Sequence, residues 1–272
     1  MFCGDVPRPA LALYAFAQGI PSLMVTGDHI PADRNGIKFY RSADELLKPD
    51  EAGMSRQTLH LGGGRFSEVG MLAVAEALPP VTDVEDAYAG RYLDHFGAGA
   101  LSSTRIGIYQ HSAVGRDLLA HIVMDLGAEI SFHGRSETFA PVDTEAIRPE
   151  DVALARDLAA GGDFNAIISN DGDLDRLLIA DETGLWMRGD VLGILCAERV
   201  GATGVVTPVS SNTALECSGR FATCRRTRVG SPYVIAAMSE ELAAVSAQVC
   251  GYEANRDFLL GSAMPCFRSW QC

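Results

Sequence analysis

Short apolar runs alternate with helix-forming segments along most of the chain. In its middle part, residues 105–109, 128–132 and 166–169 predict strands, and segments 113–126 and 149–160 between them predict helices. This β-α-β-α-β order is typical of a parallel sheet covered by helices. A second round follows residue 188, with a helix predicted at 191–200, strands at 205–207 and 223–229, and a helix at 233–245. The pattern predicts an α/β fold.

The two ends of the chain are less regular. Near the start, the pattern predicts a helix entered through proline at 10–17, strands at 21–25 and 37–40, and a short helix at 42–47. The pair Asn35-Gly36 is a tight-turn signal just before the second of these strands. After residues 249–258 comes a tail that fits no element, and we expect this tail, at 264–272, to be disordered or non-native.

Composition narrows the class of protein. The 272 residues are 47% hydrophobic, with 22 basic and 35 acidic side chains and a formal charge of −13. Such an acidic chain is a poor partner for nucleic acid, although a local positive patch still allows small anionic phosphates. It has no apolar run of about 18 residues and no signal-peptide pattern at the start, so we expect no membrane partner and a cytoplasmic location. The seven cysteines form no C-x-x-C pair and predict reduced, mostly structural thiols.

One acidic segment carries the clearest chemical signal. Asp171, Asp173 and Asp175 alternate between two apolar runs, which places them in a loop at a strand end. Three crowded carboxylates repel one another unless a cation lies among them, and a hard divalent ion such as Mg²⁺ prefers oxygen ligands. Arg176 adds a guanidinium suited to bidentate phosphate binding.

Two other interpretations of this segment exist. It could be a solvated acidic turn without a metal. The spacing of the aspartates with Glu182 also matches the ligand positions of an EF-hand calcium loop, but Arg176 stands where that loop needs glycine and the flanks predict strands instead of helices.

Four stretches taken together resemble the α-D-phosphohexomutases, the phosphomannomutase/phosphoglucomutase family. Residues 26–31, with Asn35, Gly36 and Lys38, resemble that family's active-site loop, and residues 171–176 match its metal loop, D-G-D-x-D-R. Residues 227–234 and 251–255 resemble its third-domain loop and its sugar-binding loop. The four occur in the family's order. The resemblance implies tandem three-layer α/β domains with mostly parallel mixed sheets, here divided at residues 1–80, 81–187 and 188–272.

The resemblance also implies an activity and its residues. Such enzymes move a phosphoryl group between C1 and C6 of a hexose phosphate, here mannose or glucose 1- or 6-phosphate, and use Mg²⁺ held by three aspartates and a phosphoserine. The implied metal ligands are Asp171, Asp173, Asp175 and residue Asp28. The implied catalytic residues are Asp28, His29, Lys38 and Arg176, and the implied substrate-binding residues are Arg34, Asn35, Arg228, Glu253 and Asn255.

The sequence departs from the family at three places. Asp28 stands at the position of the phosphorylated serine, and Arg256-Asp257 replace two glycines, whose conformations other residues adopt only at a cost. By the resemblance, the chain also lacks the start of domain one and a fourth domain that holds the non-reacting phosphate. A non-catalytic module or fragment that binds metal and sugar phosphate is therefore the alternative to an active mutase.

We predict that Asp28→Ser creates or raises mutase activity, by roughly tenfold or more, because a phosphoserine persists whereas an acyl phosphate on aspartate hydrolyses readily. The measurement is conversion of mannose 1-phosphate to mannose 6-phosphate with Mg²⁺ and glucose 1,6-bisphosphate. Asp163→Ser, outside the four motifs, is the matched control. Equal or lower activity in Asp28→Ser would contradict the prediction.

Overall fold

The computed structural model describes residues 1–27, 34–60, 62–245 and 248–261, and three sheets follow one another along it. The first is an antiparallel pair, β1 (Ser22–Thr26) and β2 (Gly36–Tyr40), with helices α1 (Arg8–Gln18) and α2 (Lys48–Ser55) nearby in sequence. Its burial alternates along both strands, so that one face of the pair is more exposed than the other.

The central sheet has the order β4-β3-β5-β6. Its strands are β3 (Arg105–Tyr109), β4 (Glu129–His133), β5 (Ala166–Asn170) and β6 (Leu177–Ala180), and its helices are α3 (Glu85–Phe96), α4 (Arg116–Asp125) and α5 (Pro149–Gly161). The first three strands are parallel, and β6 returns antiparallel to β5. Neighbouring residues of β5 serve opposite cores, since Ile168 packs with Leu119 of α4 and Ile167 packs with Ala155 of α5.

The last sheet has the order β10-β9-β7-β8. It contains β7 (Gly204–Pro208), β8 (Thr223–Thr227), β9 (Val249–Tyr252) and β10 (Phe258–Leu260), with helices α6 (Gly189–Arg199), α7 (Ala214–Ser218) and α8 (Ser231–Val245). Here too the three longer strands are parallel and the edge strand is antiparallel. Ile194 of α6 and Val234 of α8 lie in different cores, which places a helical layer on each side. The predicted α/β class with mostly parallel mixed sheets is confirmed.

One local prediction was wrong. Residues 42–47 form no helix; α2 starts at Lys48, because Pro49 suits the first helical turn and the Asp50 carboxylate accepts a hydrogen bond from the Leu47 N–H. Residues 249–258, for which no element was predicted, contain β9 and the start of β10. The predicted tail at 264–272 lies outside the described residues, and the division into domains stays a prediction.

None of the helices in the described part of the chain is both long and apolar enough to cross a bilayer.

We predict that Leu178→Ala lowers the free energy of unfolding by about 2–5 kcal/mol, because it leaves a cavity beneath the central sheet. Leu178 is 1% exposed. Leu185, on the same hairpin but 58% exposed, provides the control, since Leu185→Ala should cost no more than about 0.5 kcal/mol. Urea unfolding of both variants checks this, and similar losses in the two would contradict it.

Candidate active site

The three aspartates lie at the carboxyl end of β5, where ligands bind in parallel sheets. Asp171 and Asp173 are each 1% exposed, and the Asp175 side chain is 3% exposed. One carboxylate oxygen from each lies within 4.8 Å of those of the other two. The predicted juxtaposition of the three side chains is therefore present.

The backbone of this loop has an uncommon conformation. Leu174, between two of the aspartates, has φ of 58°, in the left-handed region that costs most residues about 1–3 kcal/mol. Packing compensates, because the Leu174 side chain contacts the core beside α4. Gly115 makes room for it, since a Cβ at Gly115 would lie 2.6 Å from the Leu174 Cβ. The Val114 N–H also donates to the Gly172 carbonyl at 3.0 Å, which ties the loop to the start of α4.

A buried histidine, His111, is hydrogen-bonded to the backbone just before the same loop. Nε2 of His111 lies 2.7 Å from the Asn170 carbonyl oxygen, so this nitrogen carries the proton and donates. The Asn170 amide in turn donates to the Asp171 carbonyl at 2.6 Å. His111 is 1% exposed, and burial lowers its pKa below the usual range. The imidazole is therefore held as a neutral donor.

The small sheet supplies a lysine and a threonine to the aspartates. Lys38 Nζ lies 3.2 Å from Asp173 Oδ2 and 3.1 Å from Asp175 Oδ2. The Thr26 hydroxyl donates to Asp173 Oδ2 at 3.0 Å. Met24 pairs with Lys38 across the sheet, so Thr26 and Lys38 share one face. Both polar groups therefore point toward the loop of residues 171–176, called the acidic loop from here on.

Two arginines complete the ion-pair cluster. Arg8 Nε lies 2.6 Å from Asp175 Oδ2, and the Arg8 backbone N–H donates to the Asp173 carbonyl at 2.9 Å. Arg176 Nε lies 3.7 Å from Asp175 Oδ1 and 4.0 Å from Asp171 Oδ2. Both guanidinium groups therefore lie against the aspartates of the acidic loop.

These contacts set the protonation of two carboxyl groups. Burial alone would raise the pKa of Asp175, but Arg8, a hydrogen bond involving Asp171, Lys38 and Arg176 together hold it well below its usual range. Asp257, in the last sheet's loop, behaves oppositely: burial and the charge of Asp175 raise its pKa to about 6. Asp175 is thus firmly ionised.

The aspartates fit a hard divalent cation. Oδ1 of Asp175 is a buried oxygen that accepts no hydrogen bond from the described residues, although a carboxylate oxygen out of water needs a donor or a cation. One carboxylate oxygen from each aspartate lies within 4.8 Å of the others, so the three oxygens surround a common point and would draw closer together around a Mg²⁺ ion. The donor set consists wholly of carboxylates, as Mg²⁺ prefers.

The last sheet brings its loops to the same cluster. Glu253 Oε1 accepts a hydrogen bond from the Gly230 N–H at 3.1 Å, which joins the two loops predicted to bind substrate. The Asn255 amide donates to Glu253 Oε2 at 3.3 Å and to Asp257 Oδ2 at 3.1 Å. Asp257 Oδ1 lies 3.9 Å from nitrogens of both Arg8 and Arg176. Through Asp257, Glu253 and Asn255 are linked to the acidic loop.

The replacement of glycine at position 256 has the expected backbone consequence. Arg256 adopts φ of 80°, where glycine is favoured. Its guanidinium is buried and donates to the Met187 carbonyl at 2.7 Å, and burial lowers its pKa to about 10. Arg256 therefore has a structural contact on the side of β6 and α6.

Three other residues predicted to bind substrate lie at the surface of the protein. Arg34 and Asn35 are exposed just before β2, and Arg228 is exposed with its guanidinium 5.8 Å from the Tyr233 ring centroid. Asp28 and His29, predicted as catalytic, lie outside the described residues. The roles assigned to all these residues stay predictions.

Four contributors were not anticipated as site residues: Arg8, Thr26, His111 and Asp257. Thr26 lies within a quoted motif, and Asp257 stood out as a replaced glycine, so both had some signal in the sequence. Arg8 and His111 had none, because nothing near them in the sequence marks their proximity to the aspartates.

The comparisons with known proteins agree with this geometry. The chain is 43% identical over 260 residues to a phosphomannomutase of Sinorhizobium fredii, covering 96% of this chain and 54% of that protein. It is 42% identical over 262 residues to a phosphomannomutase of Salmonella muenchen, covering 96% and 53%. The chain belongs to the α-D-phosphohexomutase family. It spans about half the length of these curated relatives.

A solved structure has a similar fold. A phosphoglucomutase/phosphomannomutase family protein from Burkholderia thailandensis superposes with a TM-score of 0.67 at 16% identity, covering 98% of this chain and 59% of that one. At this identity the likeness concerns the fold alone. No protein-family model matches the sequence of this phosphohexomutase chain.

We predict that His111 makes the protein less stable as the pH falls below about 6.5, the unfolded histidine value. Since burial lowers the pKa of His111 in the folded state, the unfolded chain binds the proton more readily and stability is lost on acidification. His111→Gln keeps an amide donor without the titration, so its unfolding free energy should fall less between pH 7.5 and 5.5 in urea titrations. An unchanged slope would contradict this role, and His121→Gln, exposed on α4, is the control.

Proposed function

We propose that this chain carries the phosphoryl-transfer centre of a hexose phosphate mutase, with mannose phosphates as the substrates. The observation that supports it best is that Lys38, the three aspartates and Arg176 form one ion-pair cluster with a loop holding Glu253 and Asn255. Cations suited to phosphate thus lie beside oxygens suited to sugar hydroxyls, which supports the proposal. Two relatives above 40% identity are phosphomannomutases, which favours mannose.

The cations provide the phosphate side of the site. Arg176 lies within 4.0 Å of carboxylate oxygens of Asp171, Asp175 and Asp257, and its planar guanidinium suits bidentate binding of phosphate oxygens. Lys38, with 26% of its side chain exposed, reaches both the aspartates and solvent. It can contact the transferring group and take part in proton transfer with the sugar hydroxyl.

The loop of the last sheet provides the sugar side. Glu253 is held by the Gly230 N–H and the Asn255 amide, so its oxygens are fixed in position before a ligand arrives. A carboxylate and an amide side by side suit two neighbouring hydroxyls, which both donate and accept. Arg228, exposed beside Tyr233, and Arg34 with Asn35 are proposed to orient the substrate from the rim.

We assign Asp171, Asp173 and Asp175 as the residues that hold Mg²⁺, with Asp28 as a further ligand. Bound there, the ion supplies positive charge to neutralise the transferring phosphoryl group. The fit of the three carboxylates supports this assignment, especially the buried Asp175 Oδ1.

A second candidate is a binding module without turnover. The observation that favours it is Asp28 at the position of the family's phosphoserine, which removes the stable phosphoryl donor. The two candidates share the site and differ in catalysis.

We predict that Asp171→Asn lowers mannose phosphate isomerisation by roughly 100-fold or more, because it removes one metal-holding charge. The assay follows conversion of mannose 1-phosphate with Mg²⁺ and glucose 1,6-bisphosphate, and Asp163→Asn, whose side chain is 99% exposed, is the control. Saturable binding of mannose 1-phosphate without turnover in the unaltered protein would select the binding module. If the unaltered protein shows no binding and no turnover, both candidates are contradicted.

A further inference from the structure

Arg8 occupies an unusual position for a residue so far from the acidic loop in sequence. It is the first residue of α1, between Pro7 and Pro9, and its backbone N–H donates to the Asp173 carbonyl at 2.9 Å. Pro7 and Pro9 restrict the chain on both sides, which limits the conformations available to the residue between them. The start of the helix is thereby docked on the loop and carries the Arg8 side chain to it.

The side chain of Arg8 competes for the same oxygen as Lys38. Arg8 Nε and Lys38 Nζ lie 2.6 Å and 3.1 Å from Asp175 Oδ2, so one oxygen contacts two cations. Arg8 is mostly buried, with 19% of its side chain exposed. A charge pair this short and this little exposed is only weakly screened by solvent.

The ion pair between Arg8 and Asp175 should weaken the binding of a metal ion, because the site already contains several positive charges. Three cationic side chains, Arg8, Lys38 and Arg176, lie within 4.0 Å of the carboxylates of the acidic loop and Asp257. A divalent ion at the aspartates would add two positive charges a few ångströms from Arg8. Positive charges at that separation repel strongly in a partly buried site.

We propose that Arg8 is a resident counter-cation of the acidic loop, which holds Asp175 in place without a metal and weakens the binding of a divalent ion. This inference rests on the proposed function, since it assigns the metal to the three aspartates. Arg8 acts through Asp175 and is a positioning residue, while the other oxygen, Asp175 Oδ1, accepts no hydrogen bond from the described residues, lies 3.7 Å from Arg176 Nε and is the one available to the ion.

The test is Mn²⁺ binding to the metal-free protein, measured by the loss of free-ion signal in electron paramagnetic resonance. Arg8→Met removes the charge but keeps much of the apolar stem, and it should bind Mn²⁺ about tenfold to a hundredfold more tightly. Arg8→Gln, a second neutral variant, should behave likewise. Arg8→Lys keeps the charge and should stay close to the unaltered protein, as should Arg56→Met, an exposed control at the end of α2.

A second readout separates positioning from simple damage. In EDTA, Arg8→Met should melt at a lower temperature than the unaltered protein, because Asp175 loses its closest partner, and added Mn²⁺ should raise its melting temperature by more. Unchanged or weaker Mn²⁺ binding in both neutral variants would overturn the proposal, as would undetectable binding in every protein tested.

The Asp171→Asn variant shows whether a negative result means that the role of Arg8 is wrong or that the metal site itself is wrong. If Asp171→Asn abolishes Mn²⁺ binding while the neutral Arg8 variants bind no more tightly, Arg8 has been assigned wrongly and the metal site stands. If Asp171→Asn leaves binding intact, the metal does not bind at the acidic loop, and both the counter-cation and the metal assignment are overturned.

Discussion

The ionised carboxylate of Asp175 is the constraint on which the site depends. Its side chain is 3% exposed, and a buried charge is tolerated only when nearby cations and donors compensate the loss of water. Arg8 from α1 and Lys38 from β2 meet on one of its oxygens, while Arg176 faces the other. The first helix, the small sheet and the acidic loop are therefore held together by the same charge.

That compensation also extends to the last sheet. Asp257 approaches the same two arginines, while its burial and the charge of Asp175 raise its pKa. Asn255 connects Asp257 to Glu253, so the loop proposed to bind the sugar is tied to the ion pairs through hydrogen bonds. Under the proposed function, a divalent ion or a phosphate bound at this cluster would change the electrostatic environment of every member and so couple substrate contacts to metal binding.

Much of the fold could be predicted because its strands are short, apolar and regularly spaced. In the central sheet each predicted strand lies within a residue of the observed one, and β3 and β5, which are buried on both faces, give nearly uninterrupted apolar runs. Prediction failed where a single contact decides the start of an element, as at Asp50, which caps α2.

The sequence by itself determined which polar side chains stand at strand ends, namely the three aspartates, Arg176 and the loop of Glu253, and that Lys38 lies within a strand. These follow from residue type, local spacing and their order along the chain. Only the tertiary structure decided that Arg8, Thr26, His111 and Asp257 join them. Thr26 and Asp173, for example, are 147 positions apart, and Lys38 and Asp175 are 137 apart. Local patterns carry no information about such pairs, because the contact arises from the packing of one sheet against another.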